Sequence, residues 1–437
     1  MARNNDTIVA ISTPTGVGGI AVVRLSGPEA LSIATRHLTL NTKHLTLTPR
    51  HATYCRFDDL DDVVAVYLPI GYTGEPTVEI SCHGSLYVQQ ALLQALVDSG
   101  ARLAEAGEFT MRAFLGGRLN LSQAEAVADL IDAVTPAQHR LAVSQLRGGY
   151  AQKLKELRQQ LLDLTSLLEL ELDFSQEDVE FADRTQLRQL LAHLTSDISH
   201  LTSSFAIGNA LKRGIPVAIV GAPNAGKSTL LNALLGDDRA IVSAIPGTTR
   251  DTIEETLTID GITFRIIDTA GLRSTDDEVE TLGIERSRKA VEEATLVLYL
   301  HDSTQPWLEP EIELDGKKAI IILTKTDLPH PTPPSTHLAI SAKTGEGLDE
   351  LKSAMVASVR GDIRDSDTLV SNPRHYEALL RVQQALQRVE QGLEGGTPTD
   401  LVAIDLRDAL YHLGTITGEV TNNEILGNIF SRFCVGK

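Results

Sequence analysis

The octapeptide GAPNAGKS at Gly221–Ser228 constrains the fold of this 437-residue chain more than any other segment. The apolar run 216–220 precedes it and the amphipathic segment 229–235 follows it, a pattern typical of a loop between a buried strand and a helix. Its glycines let backbone N–H groups and the helix N-terminus face phosphate oxygens, while Lys227 reaches the outer phosphates and the Ser228 hydroxyl ligates magnesium. The segment therefore predicts an α/β module that binds a nucleoside triphosphate with Mg²⁺.

Two later segments predict that the base is guanine. Ala319–Leu323 is predicted to be a buried strand that leads into Thr324–Asp327, and a second strand is predicted to end at Ser341–Lys343. A carboxylate at Asp327 can accept the ring N–H and the exocyclic amino group of guanine, whereas adenine would leave it unpaired. The alternative is a Lys–Asp pair in an ordinary surface loop.

Thr324 stands at the first position of this base-recognition loop, where Asn is usual and ties the loop back to the phosphate loop. We therefore expect a weaker tether with unchanged base choice.

Two segments between these loops, Gly247–Asp251 and Asp268–Gly271, resemble the switch elements of GTPases. By that resemblance Thr249 supplies a hydroxyl to magnesium, Asp268 holds a magnesium-bound water, and Gly271 donates its N–H to the γ-phosphate. Loss of that phosphate would release both segments. The predicted GTP-binding residues are Asn224, Ala225, Gly226, Lys227, Ser228, Thr229, Ser243, Ala244, Ile245, Pro246, Gly247, Thr248, Thr249, Asp268, Thr269, Ala270, Gly271, Thr324, Lys325, Asp327, Ser341, Ala342 and Lys343.

Leu272 occupies the position at which small signalling GTPases use Gln to orient the attacking water, so catalysis must come from other groups. Asn224 can ligate a monovalent cation whose charge replaces that of an arginine finger, and Glu280 is the second candidate. The alternatives are a loop-stabilising role for Asn224 and a solvated helix face for Glu280. Arg250 and Arg273 are expected to be surface residues rather than fingers. The predicted K⁺ ligands are Asn224, Ser243, Ile245 and Thr248.

Seven motifs together resemble one family, the bacterial and organellar tRNA-modification GTPases called MnmE or TrmE. They span essentially the whole chain: Thr7–Pro14, Gly107–Phe114, Gly117–Ala126, Pro223–Thr229, Pro246–Asp251, Asp268–Glu280 and Phe433–Lys437. The GTPase motifs alone would also fit ribosome-assembly factors, whereas the terminal and flanking motifs are more specific. The resemblance implies a GTPase that acts on tRNA.

The length and the hydrophobic periodicity predict several domains. Short β-rich runs at 8–11, 20–25, 63–68 and 77–82, with a helix at 86–97, predict an α+β domain over 1–116. Leucine-rich stripes at helical spacing predict packed helices over 117–209 and again over 363–437, with an interhelical loop at 173–183. A Ras-like GTPase domain, with a mostly parallel sheet and helices on both faces, is predicted to be inserted at 210–362. Its proline-rich segment 329–334 is predicted to be an exposed loop.

The composition limits the cellular setting and the mode of RNA binding. The net charge of −19 disfavours a broad electrostatic contact with RNA, so contact with tRNA should be local or shared with a partner. The three cysteines have no paired spacing, which argues against disulfides and structural zinc. Without an apolar leader or membrane-length apolar run, the sequence predicts a cytoplasmic protein with no membrane association.

The family's N-terminal domain is similar to folate-binding one-carbon domains, which implies 5-formyl- or 5,10-methylene-tetrahydrofolate as cofactor. By that resemblance Arg24 and Arg118 pair with folate carboxylates, Glu79 accepts pterin N–H groups, and Lys437 returns to this domain or to that of a partner subunit. Without the resemblance, each would be an ordinary surface charge. Cys434 is a candidate nucleophile, and the alternative is a structural thiol.

The family resemblance also implies partners. These are a second copy of the chain, joined through the N-terminal domains, and the FAD-dependent tRNA-modification protein MnmG, also called GidA, in a heterotetramer. Together they would install an aminomethyl-type group at carbon 5 of the wobble uridine of certain tRNAs. The competing hypotheses are a ribosome-assembly or signalling GTPase with docking domains, and a GTP-regulated folate transferase.

Overall fold

A computed structural model describes residues 6–40, 43–44, 47–174, 184–236, 255–267, 288–307, 317–329, 337–363, 368–421, 423–431 and 433–436. The chain divides into two compact units. Unit 1 comprises Met1–Ala128, Gln145–Leu162 and Arg407–Lys437, and unit 2 comprises Asp129–Ser144 and Asp163–Leu406. Each unit is therefore built from segments that are distant in the sequence.

The first half of the chain alternates short strands with helices and then becomes helical. Its elements are β1 (Ile8–Ile11), β2 (Ile20–Ser26), α1 (Ala30–His37), β3 (Leu38–Leu40), β4 (Lys43–His44), β5 (Ala52–Phe57), β6 (Asp61–Leu68), β7 (Thr77–His83), α2 (Leu86–Asp98), β8 (Arg102–Leu103), α3 (Glu108–Leu115), α4 (Leu121–Asp132), α5 (Pro136–Leu146), α6 (Gly149–Phe174), α7 (Arg184–Ser203) and α8 (Phe205–Arg213).

The second half contains a run of strands followed by helices. Its elements are β9 (Ile215–Gly221), α9 (Lys227–Gly236), β10 (Glu255–Ile259), β11 (Ile262–Ile266), β12 (Leu296–Asp302), β13 (Lys318–Thr324), β14 (Leu338–Ala339), α10 (Leu348–Ile363), α11 (Pro373–Gly395), α12 (Thr399–Thr417) and α13 (Asn423–Phe430). Residues 288–293 are also helical.

Unit 1 contains an eight-stranded sheet in the order β4-β3-β5-β6-β7-β2-β1-β8. Alternation along the strands directs Val78, Ile80 and Cys82 of β7 into the core, where Leu92 and Leu96 of α2 are fully buried. The polar residues between them face the opposite side of the sheet. The predicted strands and the predicted helix of this domain are confirmed, although β3, β4, β5, β8, α1 and α3 were not predicted.

Unit 2 contains a six-stranded sheet in the order β10-β11-β9-β12-β13-β14, in which only the β10–β11 pair is antiparallel. Neighbouring residues of β9 enter separate cores on the two faces, with Val217 and Ile219 on one side and Ala218 and Val220 on the other. Such a continuous apolar run is typical of a strand that is covered on both faces. The predicted α/β module with a mostly parallel sheet is confirmed.

Two details of the predicted strands in unit 2 were wrong. Ala319 is exposed rather than buried, because β14 pairs with Ile322 and Leu323 and no other described strand lies beside the first half of β13 on that side. β14 itself ends at Ala339, so Ser341 lies in the loop after the strand. Residues 330–334 of the proline-rich segment lie outside the described residues.

The leucine stripes mark the buried faces of the helices, as predicted. All five leucines of the α6 stripe are fully buried. The stripe in α7 was predicted at Leu187, Leu190, Leu194, Ile198 and Leu201. Four of these residues are buried, whereas Leu190 is half-buried and the neighbouring Leu191 is buried. α7 packs against α11, which begins at the N-cap Asn372, whose side chain accepts a hydrogen bond from the Arg374 N–H at 3.0 Å. Most of the predicted interhelical loop, residues 175–183, lies outside the described residues.

Within the described ranges, no helix combines the length and the apolar character needed to cross a bilayer.

Candidate functional site

Four parallel strands of unit 2 bring polar residues to one edge of its sheet. The phosphate loop follows β9, Asp302 and Thr324 end β12 and β13, and Ser341 comes two residues after β14. Because the carboxyl ends of parallel strands lie at the same edge, these groups surround one crevice. In open α/β sheets this edge is where ligands bind.

The phosphate loop has the backbone geometry that its glycines permit. Gly221 has φ of 152°, and a Cβ there would lie 2.3 Å from the Leu300 carbonyl oxygen. Asn224 is exposed and has φ of 60°, in the left-handed region. The loop therefore turns sharply from β9 into α9, whose first N–H groups lack intrahelical acceptors and can bind phosphate oxygens.

Lys227 begins α9 and its amino group lies over the same loop. Its Nζ donates hydrogen bonds to the carbonyl oxygens of Gly221 and Ala222, both at 2.9 Å. Burial lowers the pKa of Lys227. The adjacent Ser228 and Thr229 are exposed in the first turn of the helix. The loop thus presents one cation and two hydroxyl groups beside the helix N-terminus.

Thr324 connects the base-recognition loop to the phosphate loop. The residue is 2% exposed, and its Oγ1 donates to the Ala225 carbonyl oxygen at 2.7 Å, with the His301 carbonyl oxygen at 3.2 Å as a second acceptor. The structure shows that Thr324 makes a direct hydrogen bond to the phosphate loop. That this contact is weaker than one from Asn stays a prediction. A threonine hydroxyl is sufficient here because the two loops approach closely.

The next residue, Lys325, is held by a carboxylate that the sequence analysis missed. The Lys325 Nζ lies 2.6 Å from Oδ2 of Asp302. The backbone of Lys325 is in the left-handed region, with φ of 60°. Burial alone would raise the pKa of Asp302, but hydrogen bonds from Lys325 and Thr304 outweigh it and lower the pKa. Asp302 comes directly opposite Thr324 in the β12–β13 register, and that pairing could be found only from the fold.

Asp327 is exposed at the mouth of this crevice and is oriented from the loop after β14. The hydroxyl of Ser341 donates to its Oδ1 at 2.8 Å. Ser341 is fully buried, and its own N–H donates to the Glu346 carbonyl oxygen at 3.0 Å. Ala342 is half-buried and Lys343 is exposed. The carboxylate predicted to read guanine is therefore fixed in direction.

The remaining predicted residues of the nucleotide site lie outside the described residues, as do Arg250, Leu272 and Arg273. They are Ser243, Ala244, Ile245, Pro246, Gly247, Thr248, Thr249, Asp268, Thr269, Ala270, Gly271 and Glu280.

A second candidate site lies in unit 1, on the face of the sheet opposite the main core. Arg24 of β2 and Glu79 of β7 are directly paired in the register, and Arg24 Nε donates to Glu79 Oε1 at 2.8 Å. The Arg24 guanidinium carbon lies 5.9 Å from the ring centroid of Tyr72 and 5.7 Å from that of Phe109. The sequence analysis gave these two charged residues separate roles, whereas the structure joins them.

Tyr72 links this pair to the third predicted folate residue. With Gly117, Arg118 and Leu119 it lines a cavity of about 300 Å³. The Tyr72 hydroxyl lies 3.0 Å from Thr110 Oγ1, and burial raises the pKa of Tyr72. An aromatic ring in a cavity that is also lined by an arginine suits a flat, anionic molecule. Lys437, the fourth predicted residue, lies outside the described residues.

A partly buried ion network accounts for part of the motif Gly107–Phe114. Arg102 and Arg112 share Glu108, with N–O distances of 2.6 and 2.9 Å, and share Asp6, with distances of 2.7 and 2.6 Å. Burial alone would raise the pKa values of Asp6 and Glu108. Hydrogen bonds from the two arginines outweigh burial, so both pKa values are lowered. These motif residues hold α3 to β1 and β8.

The segment 433–436 lies on the N-terminal part of unit 1. Gly107 N–H donates to the Cys434 carbonyl oxygen at 3.4 Å, and Ser12 Oγ donates to the Gly436 carbonyl oxygen at 3.2 Å. The Cys434 residue is exposed, whereas Cys55 and Cys82 are buried and burial raises their pKa values. The return of the C-terminal motif to this unit therefore occurs within one chain.

Comparison with known proteins decides the family. A model of the MnmE helical domain matches residues 121–434, and a model of the GTP-binding protein TrmE N-terminus matches residues 7–118. The chain belongs to the MnmE family of tRNA modification GTPases. The family resemblance inferred from the seven motifs is thereby confirmed.

Relatives in this family match over nearly their whole length, and each is named tRNA modification GTPase MnmE. The protein of Parabacteroides distasonis is 49% identical, with 99% of this chain and 100% of the relative covered. That of Flavobacterium johnsoniae is 48% identical with the same coverage, and that of Christiangramia forsetii is 47% identical with 99% of each covered.

Among solved structures, the G domain of the T. maritima FeoB iron transporter is 29% identical over 33% of this chain and 98% of its own, with a TM-score of 0.24. That score is too low to support an argument about the fold.

Proposed function

We propose that this chain hydrolyses GTP to GDP and phosphate and uses this reaction in tRNA modification. One observation carries the proposal: a phosphate loop and an oriented Asp327 lie at the same sheet edge of a chain that is 47–49% identical to MnmE proteins over 99% of its length. The phosphate loop and Asp327 support binding of a guanine nucleotide. The identity to MnmE proteins supports a role of GTP hydrolysis in tRNA modification.

The residues at this edge have separable tasks in the proposed reaction. Lys227 would exchange its two loop carbonyl oxygens for phosphate oxygens. The exposed Ser228, together with Thr249 and, through a water, Asp268, would hold Mg²⁺, which when bound neutralises charge on the phosphates. Asp327 would read the guanine edge while Ser341 keeps its orientation.

For hydrolysis, we propose that Asn224 and backbone carbonyls of Ser243, Ile245 and Thr248 hold K⁺, and that Glu280 orients the attacking water. The exposure of Asn224 supports this, because an exposed amide oxygen in the phosphate loop is accessible to a cation. Equal turnover in potassium and in sodium at matched ionic strength would contradict the cation proposal. Glu280→Ala should slow hydrolysis and leave GTP binding unchanged. Unaltered turnover would favour the alternative, in which Glu280 lies on a solvated helix face without a catalytic role.

We propose that the cavity beside Tyr72 binds a formyl- or methylene-tetrahydrofolate. Arg118 lines that cavity, and the Arg24 side chain lies beside the same Tyr72 ring. In the proposed arrangement Arg118 pairs with a folate carboxylate, and the Glu79 carboxylate, held by Arg24, accepts N–H groups of the pterin. Lys437 would contribute from the segment that follows Gly436, and Cys434 stays a candidate nucleophile.

The proposed product is a 5-aminomethyl or 5-carboxymethylaminomethyl group on the wobble uridine of certain tRNAs. We propose that a homodimer of this chain acts in the cytoplasm with MnmG, which would supply flavin chemistry and part of the tRNA contact. The acidic net charge of −19 supports a shared RNA-binding surface. A GTPase domain at 210–362, inserted between helical segments at 117–209 and 363–437, would pass its nucleotide state to the domain at 1–116.

The decisive experiment is mass spectrometry of wobble-uridine nucleosides in tRNA from cells that lack this chain. Loss of the 5-substituent, restored by wild type but not by Asp268→Ala, is the expected result. An unchanged nucleoside profile would contradict the role in tRNA modification. It would favour the alternative of a ribosome-assembly or signalling GTPase.

A further inference from the structure

Three polar side chains of unit 1, none of which belongs to either candidate site, meet where three elements end. They are His37, the last residue of α1, Asp58 in the turn between β5 and β6, and Ser99, the C-cap of α2. His37 Nδ1 lies 2.7 Å from Asp58 Oδ2, and His37 Nε2 lies 2.7 Å from Ser99 Oγ. The imidazole therefore bridges a carboxylate and a hydroxyl through its two nitrogens.

The hydrogen-bonding chemistry of these groups gives each of them a role. An ionised carboxylate only accepts hydrogen bonds, so His37 Nδ1 carries a proton and donates it to Asp58. In the neutral ring Nε2 has no proton, so it accepts the hydrogen bond of the Ser99 hydroxyl. A hydroxyl, an imidazole and a carboxylate in this order are the arrangement in which a histidine removes the proton of a serine nucleophile.

The backbone and an aromatic ring hold His37 in this orientation. The Asp58 N–H donates to the His37 carbonyl oxygen at 2.9 Å, and Asp58 has φ of 46°, in the left-handed region. Phe57 stacks on the imidazole, with ring centroids 5.0 Å apart and planes inclined by 12°. The His37 side chain is 17% exposed. The base is therefore oriented by the protein without any bound molecule, as proton transfer requires.

The surroundings of Ser99 leave room for a small molecule but offer few donors to it. Ser99 is half-buried, and a Cβ built at the following Gly100, which has φ of 109°, would have no atom within 4 Å. The N–H groups of Ser99 and Gly100 already donate to the Ala95 and Val97 carbonyl oxygens, at 3.1 and 2.9 Å. The exposed Arg36 donates from Nη1 to the Ser99 carbonyl oxygen at 3.2 Å, which places a cation beside the hydroxyl-bearing residue.

We propose that Ser99, His37 and Asp58 form a nucleophilic site for small, activated carboxylic esters, separate from the binding of GTP and of folate. Ser99 Oγ bonds to the carbonyl carbon of the ester, and its proton passes to His37 Nε2 and then to the departing alcohol as the ester C–O bond breaks. Water, deprotonated by the same nitrogen, then cleaves the acyl-serine to a carboxylic acid and restores the hydroxyl. Asp58 is a positioning residue that acts through His37, and Arg36 stabilises the negative charge on the carbonyl oxygen.

The expected rate follows from the groups at the site. A positioned general base contributes about a hundredfold to ten-thousandfold. Each missing oxyanion donor costs about a hundredfold to thousandfold. Because the N–H groups of Ser99 and Gly100 are used within the protein, we expect turnover to be slow and covalent modification of Ser99 to be the sensitive readout.

The test is labelling of the full chain with a fluorophosphonate ester, which forms a P–O bond to an activated serine and releases fluoride. Mass spectrometry of the labelled peptides compares Ser99 with Ser32, an exposed serine whose hydroxyl donates to the Glu29 carbonyl oxygen. We expect Ser99 to react about a hundredfold faster than Ser32. His37→Ala should remove this advantage, and added imidazole should restore part of it at Ser99 alone.

The positioning role of Asp58 has a matched control in the same turn. Asp58→Asn should lower the maximal labelling rate of Ser99 about tenfold, because an amide no longer selects the imidazole with its proton on Nδ1. The effect is smaller than in a buried triad, since the Asp58 side chain is 49% exposed. The reagent concentration that gives half-maximal labelling should not change, because Asp58 does not touch the reagent. Asp59→Asn makes the same substitution at the next, exposed residue and should label like wild type.

Two results would overturn the proposal. One is labelling of Ser99 in the wild-type chain that is no faster than labelling of Ser32, which would leave the three side chains with a purely structural contact between element ends. This comparison needs no variant, so it holds even if a substitution prevents folding. The other is an equal effect of Asp58→Asn and Asp59→Asn on the labelling of Ser99.

Discussion

Replacing Glu108 by Ala removes the shared carboxylate of the ion network in unit 1. The Glu108 side chain is 4% exposed and accepts from Arg102 at 2.6 and 3.0 Å, from Arg112 at 2.9 Å and from the Glu105 N–H at 2.9 Å. Its loss leaves the Arg112 guanidinium, which is 8% exposed, with Asp6 at 2.6 Å and Glu75 at 3.4 Å. The buried Arg112 cation thus loses one of its three carboxylate neighbours.

The expected cost is near the lower end of the range for breaking a buried ion pair, about 3 kcal/mol. Arg102 moderates the loss because it is 40% exposed and can be rehydrated, and Arg112 keeps its contact with Asp6. Since 1.4 kcal/mol corresponds to a factor of ten, local opening of this region should become roughly a hundredfold more frequent. Arg56→Ala is the control, because the Arg56–Asp62 pair is 3.5 Å apart and both side chains are largely exposed; it should cost at most about 1 kcal/mol.

Native-state hydrogen exchange measures this opening directly, since the chain has two compact units and a single unfolding free energy would average over both. The informative amides are those of Arg102 and Ala104, which donate to the carbonyl oxygens of Thr7 and Val9 at 2.8 and 3.0 Å. Equal exchange rates in Glu108→Ala and Arg56→Ala would refute the inference that the network holds this region together.

Three further predictions concern pH and the two candidate sites. Because the pKa values of Asp6 and Glu108 are lowered in the folded state, their stabilisation is complete above about pH 5 and is lost as the pH falls through the folded values. The protection of the Arg102 amide, measured as its exchange rate relative to that of an unstructured amide at the same pH, should therefore fall below about pH 4; constant protection from pH 6 to pH 3 would contradict this. Asp327→Asn should lower GDP affinity about tenfold to hundredfold and raise the affinity for xanthosine diphosphate, whose C2 carbonyl accepts a hydrogen bond from the amide. Competition titration measures both affinities. An unchanged ratio of GDP affinity to xanthosine diphosphate affinity would show that Asp327 does not contact the base. Arg118→Ala should weaken tetrahydrofolate binding about tenfold by calorimetry while GDP binding stays constant; unaltered folate binding would exclude a carboxylate contact.

The local parts of the nucleotide site could be predicted because their chemistry is encoded in contiguous residues. The phosphate loop needs glycines at fixed spacing, and Asp327 follows a recognisable apolar strand. Asp302 could not be predicted in the same way, because it is 23 residues from Lys325 and reaches it only through the β12–β13 register. The strength expected of the Thr324 contact depended on the distance between two loops, which is set by packing.

Unit 1 was harder to predict from the sequence for the same reason. Val78, Ile80 and Cys82 show the alternation that predicts β7, and the strand was found. The pairing of Arg24 with Glu79 depends on an antiparallel register between strands 55 residues apart. Tyr72, which joins the pair to Arg118, lies in a loop whose sequence has no periodicity to place it. The chemical types of these side chains could be read from the sequence. Their proximity could not, because it depends on the topology of the sheet.

The closure of unit 1 by the segment 433–436 sets the order in which the protein can fold during synthesis. The Ser12–Gly436 hydrogen bond joins residues 424 positions apart, and Arg407–Lys437 belongs to the same compact unit as Met1–Ala128. At 5–20 residues per second, a ribosome needs roughly 15–60 s to cover the roughly 300 residues between them. The β9–β14 sheet of unit 2 is synthesised before then, so the strands of the N-terminal sheet leave the ribosome long before the C-terminal segment that packs on them.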